Sequence, residues 1–446
     1  MKQTKYEPTA RSVAVSALIR MAKNTGYSNI IIDKALEESK LEERDRRLAV
    51  TIFYGTLEKQ LILDYYIDAC LKNPQKALDA EIRVNLRAAA YQILFLEKVP
   101  NFAAVDEAVS ITRGIFKTSA AGFVNGVLRS LLRNQAAITK KLGEEPALSL
   151  QYGVPEGLIA MWKDAYGDRL TREMLHAFME RPRQYIRVNP LRTTMQCAKA
   201  QLQEQGLGFT AALMLPFAAQ LQTAGHLTAL PAFQEGLFHV QDLSAQLVCG
   251  LLSPKPGDTV VDLCAAPGGK TFTLAEMMAD RGRLYAYDLY KSRVKLIQAG
   301  LLRLGLHCVE TAVQDATKLP KAPAMADAVL CDVPCSGYGV IRRKPEIRFR
   351  PLSETKSLPE LQYEILCNGA KLVKPMGRLV YATCTLNPAE NEQVCSRFLE
   401  AHADFIPCPI TAFDSLRILR EPAHMITVMP QALHSDGFFA AVFTKI

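Results

Sequence analysis

Two cysteines of the sequence lie in short motifs suited to nucleophilic chemistry. Cys335 lies in Asp-Val-Pro-Cys-Ser-Gly and Cys384 in Tyr-Ala-Thr-Cys-Thr, where Pro, Gly and Thr favour loops. Most of the eleven cysteines are instead expected to be small core residues. Asn387, Pro388 and Glu390 predict that a helix starts just after Cys384, and a helix N-terminus favours a thiolate. Both thiols are therefore candidate nucleophiles.

Residues 262–271 form a third motif, Asp-Leu-Cys-Ala-Ala-Pro-Gly-Gly-Lys-Thr, which is typical of a nucleotide-binding loop between a strand and a helix. Its glycines allow a sharp turn and a close approach of the backbone to a ligand. A phosphate-binding loop of the form Gly-x4-Gly-Lys-Ser/Thr is disfavoured, because Cys264 stands where its first glycine would be. The dinucleotide pattern Gly-x-Gly-x-x-Gly is also absent from the sequence.

Acidic residues are expected at the ends of the neighbouring strands. Asp288 follows Asp262 by 26 residues, close to the interval of about 20 residues at which a carboxylate receives ribose hydroxyls in doubly wound folds. Asp315 is expected to end the next strand, where a carboxylate can accept a hydrogen bond from an adenine amine. Each of them taken singly can equally be a helix cap. Three on successive strands favour a nucleoside cofactor.

The elements that must position these motifs are strands alternating with helices after Gly236, a pattern typical of an open parallel sheet. The predicted strands are residues 259–263, 283–288, 309–314, 327–331 and 378–383. Ligand sites in such sheets lie outside the carboxyl ends of the strands. The three motifs are therefore expected to face one pocket.

The N-terminal part of the chain has a different pattern. Apolar residues recur at helical spacing over residues 9–133, which predicts an all-helical bundle. A strand near residues 185–189 and a helix over 194–205 indicate a small α/β module. The expected domains are residues 1–140 (helical), 141–235 (linker and small module) and 236–446 (catalytic).

Composition limits the class of protein. The chain has 446 residues, 49% hydrophobic and 22% charged, as in a globular protein of several domains. Of the net charge of +8, residues 1–140 carry +6, from 21 basic and 15 acidic residues. This excess fits a nucleic-acid partner, although a solvated helix surface explains it equally well. The sequence has no signal peptide, membrane-spanning run or metal-ligand spacing, so a cytoplasmic protein with reduced thiols and without a metal or a membrane is expected.

The motifs, in this order, resemble those of the RNA 5-methylcytosine methyltransferases, and within them the RsmB (Sun, Fmu) type that acts on bacterial 16S ribosomal RNA. Residues 239–246 and 436–440 resemble flanking segments of that family, so the resemblance covers about residues 180–446. Residues 5–140 are similar to the NusB-like helical domain that this type carries. The resemblance implies an all-α NusB-like bundle, a small α/β (RRM-like) module and a Rossmann-like S-adenosylmethionine-dependent methyltransferase domain.

The resemblance also assigns roles that the residues alone leave open. It implies that Cys384 is the nucleophile and that Cys335 assists release of the methylated product, with Asp332 near the target base. A thiolate that adds to carbon 6 of cytosine would make carbon 5 nucleophilic enough to accept a methyl group. Asp332 and Cys335 are candidates for the donor at nitrogen 3 and for the base that removes the carbon 5 proton. The target nucleotide would have to be extruded from its stack.

Two sets of binding residues follow from the motifs. By the resemblance, the S-adenosyl-L-methionine site would be lined by Cys264, Ala265, Ala266, Pro267, Gly268, Gly269, Lys270, Asp288, Asp315 and Asp332. The segment 337–350 carries basic residues and two aromatics suited to phosphate contacts and base stacking, with a solvated loop as the alternative. The expected RNA-binding residues are Arg342, Arg343, Lys344, Arg348 and Arg350.

The sequence thus predicts a monomeric cytosine-5 methyltransferase that acts on 16S ribosomal RNA, either naked or in a partly assembled small subunit. A related alternative is the same chemistry on transfer RNA or another RNA, which the NusB-like domain disfavours. A different alternative is a catalytically inactive RNA-binding or antitermination-type protein. The presence of Asp332, Cys335 and Cys384 argues against it.

Overall fold

A computed structural model describes residues 8–23, 26–144, 146–212, 214–222, 227–318, 325–411 and 423–446. Residues 1–7, on which the expected lack of a signal peptide partly depends, lie outside the described residues. The chain divides into a helical unit, Met1–Lys163 with Arg343–Arg350, and a sheet unit, Asp164–Arg342 with Pro351–Ile446. The predicted domain boundaries at residues 140 and 235 stay predictions.

The helical unit is built of amphipathic helices, as the apolar spacing predicts. On the first helix Val13, Ala14 and Leu18 are buried. Its helices are α1 Ala10–Lys23, α2 Ser28–Glu38, α3 Glu43–Glu58, α4 Gln60–Asp68, α5 Ala80–Phe95, α6 Asn101–Ile111, α7 Ala121–Leu142 and α8 Leu148–Tyr152. The next helix, α9 Glu156–Met179, contains the dividing residue and breaks at Gly167. Among the described residues, none of the helices combines the length and apolar character that crossing a membrane requires.

The small α/β module lies at the start of the sheet unit. It consists of β1 Gln184–Val188, α10 Met195–Glu204, β2 Gly208–Ala211, β3 Ala218–Gln222, α11 Pro231–Gln234 and β4 Phe238–Val240. The strands form an antiparallel sheet in the order β2-β3-β1-β4. The Thr194 side chain caps α10 by accepting a hydrogen bond from the Cys197 amide at 3.2 Å. The predicted strand and helix of this module are confirmed.

The larger sheet carries the three motifs. Its strands are β5 Thr259–Asp262, β6 Arg283–Asp288, β7 Val309–Val313, β8 Ala326–Asp332, β9 Val373–Thr383, β10 Phe405–Pro407, β11 Met425–Val428 and β12 Phe438–Lys445. The helices with it are α12 Leu243–Leu252, α13 Gly269–Met277, α14 Lys291–Leu304, α15 Leu358–Leu372, α16 Glu392–Ala401 and α17 Pro430–Leu433. The order is β10-β12-β9-β8-β5-β6-β7, with β11 paired to β12. The five predicted strands, β5 to β9, are parallel, which confirms the predicted open parallel sheet.

The strand order explains where a ligand can bind. Strand β5 pairs with β6 on one side and with β8 on the other, so the connection after β5 and the connection after β8 run in opposite directions along the sheet, which defines a topological switch point. A crevice opens at such a switch point, outside the carboxyl ends of the strands. Asp262 ends β5 and Asp332 ends β8, while Cys384 directly follows β9. The fold therefore delivers the sequence motifs to one edge of the sheet.

Candidate active site

The structure brings the two motif cysteines together. Strands β8 and β9 are parallel neighbours, with Asp332 in register with Ala382, so the loops that follow them leave side by side. The Sγ atoms of Cys335 and Cys384 lie 3.2 Å apart, within hydrogen-bonding distance. Two thiols at neighbouring strand ends thus lie side by side, as the sequence predicts.

The surroundings of the Cys335 sulfur disfavour its thiolate form. The hydrogen bond to Cys384, burial and the nearby charges of Cys384 and Glu390 raise the pKa of Cys335 well above its usual range. Cys335 is therefore favoured in its thiol form, within hydrogen-bonding distance of the Cys384 sulfur. A protonated Cys335 beside Cys384 suits the expectation from the resemblance that Cys384 is the attacking sulfur.

The helix after Cys384 begins later than the sequence pattern predicts. Its N-cap is Asn391, not Asn387, because the Asn387 side chain is used within a turn and accepts a hydrogen bond from the Ala389 amide at 3.2 Å. The predicted start is therefore wrong by four residues. The Asn391 side chain nevertheless contacts both neighbours of Cys384: its Oδ1 accepts from Thr383 Oγ1 at 2.6 Å and its Nδ2 donates to the Thr385 carbonyl at 3.0 Å.

Two glycines hold the loop after β8, residues 333–342 and here called the Cys335 loop, close to Cys384. The Gly339 amide donates to the Cys384 carbonyl at 3.0 Å, and the Gly437 amide donates to the Gly339 carbonyl at 2.9 Å. A Cβ atom on Gly339 would lie 2.0 Å from the Gly437 carbonyl oxygen, which leaves no room for a side chain. Gly437 lies in the second flanking segment singled out in the sequence. That segment is therefore part of the site's framework.

The loop of the third motif, residues 263–268 and here called the glycine loop, turns sharply after β5. Gly268 has φ +112°, and a Cβ atom there would lie 2.3 Å from Cζ of Phe272. Helix α13 begins at Gly269, so its first amides face the crevice end of the sheet. Asp262 is fully buried and accepts a hydrogen bond from Thr271 Oγ1 at 2.8 Å. Burial raises the pKa of Asp262 to about 7.

Lys270 joins the glycine loop to the Cys335 motif. Its Nζ atom donates to Asp332 Oδ2 at 2.6 Å and lies 5.0 Å from the centroid of the Phe438 ring. Burial lowers the pKa of Lys270, but the charge of Asp332 and its hydrogen bond outweigh burial, and the net pKa is raised. Lys270 therefore stays a cation that fixes the Asp332 carboxylate.

The two later aspartates have different surroundings. Asp288 is 3% exposed and accepts from the amides of Ala266 at 3.3 Å and Tyr290 at 3.2 Å. Asp315 accepts from the amide and hydroxyl of Thr317, and these hydrogen bonds lower the pKa of Asp315. Both carboxylates have the local capping contacts that were the alternative to ligand binding. The contact to Ala266 also ties Asp288 to the glycine loop.

The remaining predicted loop residues are held by the sheet. The Ala265 amide donates to the Tyr287 carbonyl at 2.8 Å. The bond between Ala266 and Pro267 is cis. Burial raises the pKa of Cys264 well above its usual range, so this thiol is protonated. The loop is thus anchored to β6.

The five basic residues expected to bind RNA fall into two groups. Arg342 is buried and donates to the carbonyls of His434 and Ser435 at 3.0 and 2.8 Å. Arg348 is 3% exposed and donates to main-chain carbonyls of the helical unit, including that of Tyr152 at 3.3 Å. These two guanidinium groups have structural contacts. The half-buried side chains are those of Arg343, Lys344 and Arg350.

Sequence reasoning missed several polar residues that join the two cysteine loops. Ser336 Oγ lies 2.6 Å from Thr385 Oγ1, and the Ser336 amide donates to Glu390 Oε2 at 2.8 Å. Glu390 drew notice only as a helix-capping acid, and Ser and Thr are too common in loops to stand out. The only signal in the sequence was the proximity of these residues to the cysteines.

Models of known protein families match all three parts of the chain. The model described as 16S rRNA methyltransferase RsmB/F matches residues 249–444. The NusB family model matches residues 8–133, and a ferredoxin-like domain model of RsmF/B-like methyltransferases matches residues 154–228. The expected fold class, a NusB-like bundle, a small α/β module and a methyltransferase domain, is confirmed.

Known proteins are also similar to this chain over nearly its whole length. A probable ribosomal RNA small subunit methyltransferase B of Bacillus subtilis is 34% identical, with 100% of both chains covered. A probable protein of the same name from Synechocystis is 35% identical, over 98% of this chain and 99% of the relative. The crystal structure of PH0851 is 28% identical, covers 100% of both chains and has a TM-score of 0.84.

Proposed function

Since the chain belongs to the ribosomal RNA small subunit methyltransferase B family, we propose that it methylates carbon 5 of a cytosine in 16S ribosomal RNA through a covalent bond to Cys384. The observation that carries this proposal is the 3.2 Å separation of the Cys335 and Cys384 sulfur atoms at neighbouring strand ends. A cytoplasmic monomer is part of the proposal.

The chain is a methyltransferase, and its methyl donor is S-adenosyl-L-methionine. The residues present fit this cofactor: α13 presents its first amides at the crevice from Gly269 onward, and Asp288 offers a carboxylate at the end of β6 for ribose hydroxyls. When bound, S-adenosyl-L-methionine supplies the electrophilic methyl group that carbon 5 of the activated cytosine takes up.

The residues of the chain supply the rest of the reaction. The Cys384 thiolate forms a bond to carbon 6 of the cytosine, and the ring's electron pair moves towards carbon 5 and nitrogen 3. In this proposal Asp332, which accepts from Lys270 Nζ at 2.6 Å, would face the nitrogen 3 side of the ring, where its carboxylate can accept a hydrogen bond from the exocyclic amine and the Lys270 ammonium offsets the charge that develops on nitrogen 3. Because Lys270 fixes this carboxylate before the substrate arrives, little reorganisation is needed during the reaction.

Product release requires loss of the carbon 5 proton and cleavage of the bond between carbon 6 and Cys384 sulfur. The electron pair of that bond returns to sulfur as the ring regains aromaticity. Cys335, protonated and 3.2 Å away, gives its thiol hydrogen to the departing Cys384 sulfur, and the Cys335 sulfur takes up the carbon 5 proton, so that both cysteines end as thiols. Removal of Cys335 should therefore block release but not attack.

The test uses purified protein, S-adenosyl-L-methionine and unmethylated 16S ribosomal RNA. We expect Cys384→Ala to abolish methylation, and Cys335→Ala to accumulate an RNA–protein adduct that survives denaturing electrophoresis. Cys197→Ala, which changes an exposed cysteine, is the matched control and should resemble the wild type. Full turnover by Cys384→Ala would refute the nucleophile assignment.

The substrate is tested separately. Transfer RNA and 16S ribosomal RNA are offered to the wild type, and bisulfite sequencing maps the modified cytosine. Naked RNA and partly assembled small subunits are compared in the same assay. Methylation confined to transfer RNA would contradict the proposed substrate.

A further inference from the structure

One buried carboxylate links the two cysteine loops. Glu390 is fully buried, and its side chain accepts three hydrogen bonds. Oε2 accepts from the Ser336 amide at 2.8 Å and from Gln362 Nε2 at 2.9 Å, and Oε1 accepts from Asn387 Nδ2 at 2.8 Å. The donors come from the Cys335 loop, from α15 and from the Cys384 loop. A single side chain thus contacts all three segments.

The contacts hold the main chain on both sides of Cys335. The Ser336 amide, on its C-terminal side, donates to Glu390. The Pro334 carbonyl, on its N-terminal side, accepts from Gln362 Nε2 at 2.9 Å, and the same amide nitrogen donates to Glu390. The direction in which the Cys335 side chain leaves the backbone is therefore set by the pair Glu390 and Gln362.

Glu390 is itself fixed on the Cys384 side. Its main-chain carbonyl accepts from the Tyr381 hydroxyl at 2.5 Å, and Tyr381 lies in β9, three residues before Cys384. The partners named for its carboxylate are neutral amides, and burying a carboxylate is costly unless hydrogen bonds compensate. An apolar side chain would fill this space without that cost, so the carboxylate points to a need for a defined loop geometry.

We propose that Glu390 is a positioning residue that holds Cys335 against Cys384 and thereby sets the rate of product release. The inference rests on the proposed function. Glu390 does not touch the substrate; it acts through the Ser336 amide and the Pro334 carbonyl. Its negative charge also helps to keep Cys335 protonated, as release requires.

Glu390→Gln is the informative change, because the side chain keeps its size and loses its charge and one acceptor. The new amide group must face a donor, either Asn387 Nδ2 or the Ser336 and Gln362 pair. We expect adduct formation in a single turnover to change little, and release to slow by about tenfold or more, as for a lost hydrogen bond to a charged group. The adduct should therefore accumulate, as in Cys335→Ala.

A pH profile separates positioning from mere folding. Release requires a protonated Cys335, so the release rate should fall at alkaline pH, where this thiol loses its proton. Without the Glu390 charge the pKa of Cys335 is lower, and the release rate should begin to fall at a lower pH than in the wild type. Glu400→Gln changes an exposed glutamate on α16 by the same chemistry and is the matched control. If Glu390→Gln does not fold, Asn387→Ala removes one donor to Glu390, keeps its charge, and should slow product release by a smaller factor.

The outcomes are distinguishable. If the wild type forms no adduct that depends on Cys384, the proposed function fails. If the wild type turns over and Cys335→Ala traps adduct, but Glu390→Gln matches the wild type in release and pH profile, the positioning role is overturned. An equal loss of attack and release, with a lower melting temperature and an unchanged pH profile, also overturns it.

Discussion

Asp262 provides a test of the site's electrostatics that needs no substrate. Its carboxyl group is fully buried at the end of β5, and burial raises its pKa from an ordinary 3.8 to about 7. The folded protein thus binds a proton over a pH range in which the unfolded chain has lost it. Stability is accordingly highest below about pH 4 for this group and falls as pH rises towards 7.

The magnitude follows from the pKa difference. At about 1.4 kcal/mol per unit of pKa difference, the Asp262 carboxyl group changes the free energy of unfolding by about 4 kcal/mol over the whole pH range. Of this, about 2–3 kcal/mol falls between pH 5 and pH 8, because the unfolded group is already ionised at pH 5. Asp262→Asn, which is uncharged at every pH and retains an oxygen that can accept from Thr271, should remove this component.

The assay is denaturant unfolding of the wild type and Asp262→Asn at pH 5 and pH 8, without cofactor. The wild type should lose about 2–3 kcal/mol more than the variant across this range. Asp404→Asn changes a half-exposed side chain of the same unit and should keep the wild-type dependence. If wild type and Asp262→Asn lose the same stability, the argument that burial keeps Asp262 protonated is refuted.

The framework and the basic residues give further predictions. Gly339→Ala should destabilise the protein by about 2–4 kcal/mol in denaturant unfolding, because its Cβ would lie 2.0 Å from a carbonyl oxygen; Gly126→Ala on α7, where nothing lies within 4 Å, should stabilise by up to about 1 kcal/mol. Similar values for both would contradict the steric argument. Alanine at Arg343, Lys344 or Arg350 should weaken RNA binding. Each change should also lower the slope of the logarithm of the binding constant against the logarithm of the salt concentration by about one. Arg348→Ala should instead lower the melting temperature of the helical unit. If Arg348→Ala lowered this slope and the other three changes did not, the division between RNA-binding and structural basic residues would be wrong.

The parallel sheet was predictable because most of its strands contain an apolar run that ends in a polar residue. Strand β5 is Thr-Val-Val-Asp, its last three residues are buried, and Asp262 ends it. The strands after Cys384 were not predicted. Strand β12 lacks the alternation by which a half-buried strand is found, because residues 438–443 are all buried. A short apolar run of this kind does not reveal whether its partner strand is parallel or antiparallel.

The site was predictable in its residue types and less so in its contacts. Asn387 and Pro388 fit a helix start and a tight turn equally well, so the sequence does not show that α16 begins at Glu392. Arg342 and Arg348 lie in a segment rich in Gly and Pro, and their burial depends on distant carbonyls that no local pattern reveals. Glu390 is the same case: two of its three donors lie 54 and 28 residues away along the chain.

The segment Arg343–Arg350 belongs to the helical unit although it lies between parts of the sheet unit. Its Arg348 guanidinium donates to the carbonyls of Tyr152 and Gly153. On the ribosome, the first 163 residues emerge long before this segment is synthesised. The helical unit therefore leaves the exit tunnel without one of its own parts, and it can acquire that part only when translation has passed the Cys335 codon.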